Sequence, residues 1–195
     1  MTRLAVCAAV LALLTVPAAA QPFHHPYGEW REYNRDWLAA CPDEINEQLD
    51  SFQGVSCFAS TNSAEKNAAN LPAWQLTLIH NRLTGALDLA FTAAPDTVEL
   101  DIARPLVFEF AGAPRVSFNF TADLQTRHNV SNQWFIADPA RRDALIAEMQ
   151  SRNAVTLAVP LTAPGEAVRM VPLSLRGVEA SLDFMATNAR RVAEY

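Results

Sequence analysis

From Trp74 to Thr121 the chain alternates apolar and polar residues in one short run after another, and this constrains the fold more than any other feature. "AWQLTLIH" sets Trp74, Leu76 and Leu78 against Gln75, Thr77 and Ile79. "ALDLAFTA" puts Leu87, Leu89 and Phe91 on one side. "TVELDIA" opposes Val98, Leu100 and Ile102 to Glu99 and Asp101, and "LVFEFAG" and "RVSFNFTA" add Phe108, Phe110, Val116, Phe118 and Phe120. Successive side chains of a strand point to opposite faces, so period two with one apolar face predicts antiparallel sheets that bury one side and wet the other. Glycine and proline punctuate the runs at hairpin spacing.

Later segments change period. In "DPARRDALIAEMQSRN", Asp138 is placed as the N-cap and Pro139 as the first helical residue, with Ala144, Leu145 and Met149 as the apolar side. "AVTLAVPL" and "EAVRMVPLSL" flank "TAPG" as a hairpin, with Val168, Met170 and Leu173 marking its second strand. After Gly177, residues Val178, Leu182, Met185, Ala189 and Val192 form a narrow stripe on one helical face, which needs the sheet layer to cover it. The expectation is a mainly β, antiparallel β-sandwich-like domain. One helix is inserted before the last hairpin, and a second helix ends the chain.

The first twenty residues read as a leader. Arg3 precedes the apolar run "LAVCAAVLALLTV", and Ala18 and Ala20 fit the small-x-small cleavage rule, so Gln21 is the expected first mature residue. The run is too short to span a bilayer, and no later stretch of about 18 apolar residues follows. Export without an integral membrane segment is expected, to the periplasm of a Gram-negative bacterium or beyond. Residues 21–28, with two prolines and no period, read as a loose mature terminus, and 29–195 as a single β-rich domain. Losing Arg3 takes the formal net charge from −6 to −7. Such a chain lacks the cationic surface that nucleic acid demands. Cys7 leaves with the leader. The remaining Cys41 and Cys57, separated by 15 residues in an exported chain, read as one disulfide.

Motifs for chemistry are missing from the text. There is no G-x-S-x-G, no H-E-x-x-H, no C-x-x-C and no glycine-rich phosphate loop. His24 and His25 read as solvated neighbours rather than metal ligands, and Arg141 and Arg142 as the wet side of the first helix. No catalytic residue, cofactor or metal is expected.

A strand ending in Ser174-Leu175-x-Gly177, then Val178, Ala180 and Leu182 on a short helix, resembles the end of the invasion-associated locus B family of exported bacterial proteins. The helix-then-hairpin of 138–173, the order Trp37, Cys41, Cys57 and the paired strands from Trp74 fit it too. Two features depart from the family: a second cysteine pair before the helix is absent, and Val178 stands where an aromatic residue is usual. The resemblance implies a compact β-sandwich-like envelope domain with no enzymatic activity. The expected function is therefore binding of a protein or cell-surface component. The alternative is a periplasmic hydrolase or small-ligand binder whose site is assembled from loops and marked by convergent titratable groups.

Overall fold

The computed structural model describes residues 21–46, 54–97, 99–128 and 130–192, with 190–192 described by backbone alone. Residues 1–20, read as a leader, and most of the segment 42–54, where a helical turn is expected before Gly54, lie outside the described residues.

The alternating runs build two antiparallel sheets. The larger has eight strands: β1 (Phe23–His25), β2 (Glu29–Asn34), β3 (Trp37–Pro42), β4 (Ser56–Asn62), β5 (Trp74–Asn81), β6 (Leu87–Ala93), β9 (Leu124–Gln125) and β10 (Gln133–Ile136). Their order across the sheet is β1-β2-β3-β4-β5-β6-β10-β9. The smaller holds β7 (Leu106–Glu109), β8 (Val116–Phe118), β11 (Ala154–Pro160) and β12 (Val168–Ser174), in the order β12-β11-β7-β8. Trp74, Leu76, Leu78, Leu89 and Phe91 of the large sheet meet Phe108, Phe118, Val155, Leu157, Val171 and Leu173 of the small one in a single core. Helix α1 (Pro139–Gln150) starts where the sequence places it: the Asp138 carboxylate accepts from Arg141 N, satisfying a first-turn donor.

Helix α2 (Val178–Val192) packs on β2, β3, β4 and β5, not on the strands that immediately precede it. The large sheet offers small residues there. Ala39, Cys41, Cys57 and Ala59 are fully or almost fully buried and form a low floor on which a helix can sit. The helix is rolled slightly from the predicted stripe. Val178, Ser181, Phe184, Met185, Asn188 and Ala189 are buried, while Leu182 is only half-buried. Two polar residues tolerate burial because they find partners: Asn34 Nδ2 donates to Ser181 Oγ at 3.3 Å, and Asn188 Nδ2 to Phe184 O at 2.9 Å.

Several expectations are corrected. Residues 23–25, read as part of a loose terminus, form β1, paired with β2 from Phe23–Arg31 to His25–Glu29. Within "TVELDIA", residues 99–103 do not form a strand: Leu100 makes one isolated bridge to Leu161, and the chain turns at once. Asp101 captures Ala103 N and the Arg104 guanidinium, which also donates to Leu161 O and Ala167 O. That local capture competes with a strand, as aspartate commonly does, and leaves Ile102 53% exposed. In β12 the inward residues are Val171 and Leu173; Val168 and Met170 face solvent. On α1, Ile146 is buried and Ala144 is exposed.

Arg141 and Arg142 are not simply solvated. Arg141 bonds Asp123 at 2.5 Å and Ser117 O at 2.6 Å, with its guanidinium 4.4 Å from the Phe118 ring centre, so it ties α1 to both sheets' ends. Arg142 shares Asp88 with Arg127. The backbone N–H of Asn119, and after it Arg141, hold the Asp123 carboxyl below the usual carboxylate range. A carboxylate favoured by the fold adds stability above its unfolded pKa, near 3.9, and loses it as pH falls through the lower folded value. Wild type should therefore lose stability below about pH 4 more steeply than Asp123→Asn, which keeps an acceptor but no charge. Urea midpoints of both proteins across that range measure the difference, and parallel curves would refute it.

Candidate functional site

Two features stand out: a junction built by the predicted terminal motif, and a groove on the far face of the large sheet. The junction braces the β2–β3 turn, whose strands carry one end of the groove.

Ser174 and Gly177 both bear on the two-residue turn between β2 and β3, with Leu175 between them. Trp37 Nε1 donates to Ser174 O at 3.0 Å, and Ser174 Oγ donates to Asp36 Oδ2 at 2.6 Å. Asp36 N donates to Arg176 O at 3.3 Å. Leu175 is buried, and its N–H donates to Asn153 O. Gly177 has φ +104°, and a Cβ there would lie 1.8 Å from Asn34 O. The glycine thus lets the end of β12 press against the β2–β3 turn before α2 begins. Leu182 lies one turn further along the helix, packed against the core edge. The sequence signals Trp37 and the motif; it gives no sign that Asn34, Asp36 and Ser181 complete them.

Cys41 and Cys57 are bonded, with their Sγ atoms 2.09 Å apart. They fall opposite each other, one step beyond the Ala40–Phe58 pair of the β3–β4 ladder. Both are buried under α2's side of the sheet. Reduction should cost about 3 kcal/mol, the chain-entropy value for a loop of this length. Urea melts with and without reductant test this; coincident curves would show the bond to be energetically idle.

His24 and His25 do not share a ligand. Adjacent strand residues face opposite sides. Accordingly His24 Nε2 meets Asp43 Oδ2 at 2.6 Å beside Trp30, whereas His25 packs on Tyr27. Among the described residues, no group of three or more His, Cys, Asp or Glu is placed to hold a metal ion.

The groove encloses about 430 Å³ and is lined by Glu29, Pro42, Phe58, Ser60, Gln75, Thr77 and Gln133. The register explains why these residues share a face. Glu29 pairs with Pro42, Ser60 with Thr77, and Gln75 with Thr92, which in turn pairs with Gln133. Phe58 lies two residues from Ser60. This face points away from the small sheet. It carries its own small apolar cluster, Ile79, Ala90 and Phe135, with Phe58 packed against it. Arg127 roofs part of that cluster, 4.9 Å above the Phe135 ring and paired with Asp88 at 3.0 Å. The predicted alternation of β5 is thus half right: Ile79 and Thr77 on the second face are buried as well.

Glu29 is the one titratable group among the described lining residues; Arg31 Nε bonds it at 2.6 Å and His25 Nδ1 lies 4.0 Å from it. Gln75 Nε2 donates to Asn62 Oδ1 at 3.0 Å, and Gln133 Nε2 to Thr92 Oγ1 at 3.1 Å. Each amide keeps its carbonyl oxygen and a second N–H. The arrangement can hold a ligand by hydrogen bonds and ring contact.

The architecture has a solved counterpart. The crystal structure of invasion associated protein B from Bartonella henselae superposes with a TM-score of 0.53 over 80% of this chain and 96% of that one, at 17% sequence identity. The two chains share a fold. No protein-family profile and no curated protein sequence matches this chain.

Proposed function

We propose that this is an exported, non-enzymatic envelope protein of the invasion-associated protein B type, which binds a protein or cell-surface component through the far face of its large sheet. The groove carries this reading. Among the described residues its lining is mainly uncharged, hydrogen-bonding and open, and its one carboxylate, Glu29, is held by Arg31 with His25 4.0 Å away. A hydrolase would call for a free acid or base beside a nucleophile in such a place, and Glu29 is engaged by Arg31. The shared fold supports the family assignment, and the buried disulfide suits an oxidising compartment.

Export with cleavage after Ala20 belongs to the same proposal, so N-terminal sequencing of the exported protein should begin at Gln21. A mature form that retains Cys7 would contradict it. The binding role is tested by titrating labelled protein onto isolated envelope fragments. Saturable binding competed by unlabelled protein is expected. Linear, uncompeted uptake would overturn the role.

A further inference from the structure

We infer that the β1–β2 hairpin is a lipid-contacting element that seats the protein on a zwitterionic membrane surface. The inference adds a second surface to the proposed envelope role and rests on the export proposed there, because an exported chain meets such a surface.

The exposed aromatic residues are not scattered. Among the described residues, Phe23, Tyr27, Trp30 and Tyr33 are the Phe, Tyr and Trp side chains left exposed, and all four lie in this one hairpin. The exposed large aliphatic residues, Leu71, Leu83, Ile102, Val168 and Met170, are spread over other segments. Tyr27 stands at the tip and is 83% exposed. Phe23 stacks on Tyr33 at 5.9 Å, Trp30 meets His24 edge-on at 5.3 Å, and Tyr27 meets His25 at 4.6 Å. The rings thus hold one another in place while staying open to solvent. Tyrosine and tryptophan join an apolar ring to a polar tip, which suits them to the headgroup layer of a membrane.

Placement favours lipid over a protein partner. β1 and β2 are the outermost strands at one edge of the large sheet. Phe23 and Tyr33 lie on the face that carries the groove, whereas Trp30, in register with Cys41, lies on the face that carries α2. A protein docked on one face would leave the aromatic residue of the other unused; an edge that dips into an interface covers both. Strand addition to β1 is limited by Pro22 and Pro26, which bracket its three residues and lack N–H groups. The same prolines leave fewer donors to satisfy. The contact stops in the headgroup layer, where water and lipid carbonyls can meet the outer main chain of β1, because hydrocarbon could not. Charge agrees with this. Residues 21–35 set Glu29 and Glu32 against Arg31 and Arg35, two acids and two bases, in a chain whose formal net charge is −6. Glu29 is held by Arg31, and Asp43 and Asp36 beside the hairpin are held by His24 and by Ser174 with Arg176. The hairpin is therefore a near-neutral aromatic edge on an acidic protein, which suits a zwitterionic surface and not an anionic one.

The test mixes the exported protein with vesicles of phosphatidylethanolamine and phosphatidylcholine, plain or with brominated acyl chains, and with the same vesicles containing phosphatidylglycerol. Protein should sediment with the zwitterionic vesicles, unaffected by salt, and brominated lipid should quench its tryptophan fluorescence. Phosphatidylglycerol should weaken the binding. Trp30→Phe should keep the sedimentation and lose the quenching, because Trp37 and Trp74 are buried and Trp134 lies towards the opposite edge of the sheet. Tyr27→Ala combined with Tyr33→Ala should weaken sedimentation about tenfold, as withdrawal of two rings from the interface implies. The inference fails if the zwitterionic vesicles carry down no protein, if the quenching survives Trp30→Phe, or if binding requires phosphatidylglycerol and disappears in salt. Wild-type sedimentation and the Trp30→Phe comparison decide the matter even if the double variant misfolds. Titration onto envelope fragments separates this idea from the binding role. Saturable, competed envelope binding without vesicle binding removes the lipid contact alone and points to a protein beneath the aromatic edge. Vesicle binding with only linear, uncompeted uptake by envelope fragments keeps the lipid contact and removes the far-face role. Absence of both removes both.

Discussion

Gly177→Ala is expected to destabilise the protein by about 3–5 kcal/mol, combining backbone strain with a forced repacking. The glycine has φ +104°, where L side chains are rarely found, and its substituted Cβ would lie 1.8 Å from Asn34 O and 2.7 Å from Asn34 C. Those are backbone atoms and no rotamer change relieves them. Either the β2–β3 turn or the start of α2 must move. Movement would lengthen the Trp37–Ser174, Ser174–Asp36 and Asn34–Ser181 bonds together, because all three span the same contact. Gly85→Ala is the control. Gly85 also has positive φ, +71°, but nothing lies within 4 Å of its added Cβ. It should lose only the conformational term, about 1–2 kcal/mol. Urea denaturation of both variants separates close approach from backbone preference. Equal losses would mean that the Gly177 contact contributes nothing beyond its dihedral angle.

That contact also shows what was legible in the sequence. Local patterns could be read: period two marked β5 and β6 of the large sheet and β7 and β8 of the small one, Asp138-Pro139 marked the start of α1, and Gly177 marked the place where the last strand gives way to α2. The partner across the contact could not be read, because Asn34 lies far away in sequence and has no pattern of its own. "TVELDIA" misled for a related reason. Its alternation is real, but Asp101 and Arg104 bond locally and to the β11–β12 connection, and those bonds outweigh strand pairing. The groove was invisible for a third reason. Its residues come from five strands that are brought together only by the register, and each taken alone is an ordinary outward-facing polar residue. Phe58 gave no signal either, since an aromatic in a short strand is normally assigned to the core.

Met185→Ala should cost about 2–5 kcal/mol, as expected for emptying a fully buried methionine site. Met185 is completely buried, and α2 lies across β3 and β4. An isolated helix of 15 residues is marginal in water, so α2 depends on that packing. The floor beneath it is low because Ala39 and Ala59 are small, which leaves little with which to refill the space. Leu182 was the more obvious target from the stripe, but it is half-buried, and Leu182→Ala should cost about 1–2 kcal/mol. Asp183 is exposed on the opposite side, and Asp183→Ala should cost less than about 0.5 kcal/mol. The three variants therefore form a graded series around one helical turn, read by urea midpoints at constant slope. The order Met185, Leu182, Asp183 is expected because α2 is rolled toward Ser181 and Asn188. A larger loss at Leu182 than at Met185 would restore the stripe predicted from sequence. Small and equal losses at all three would mean that the helix adds no stability to β3 and β4.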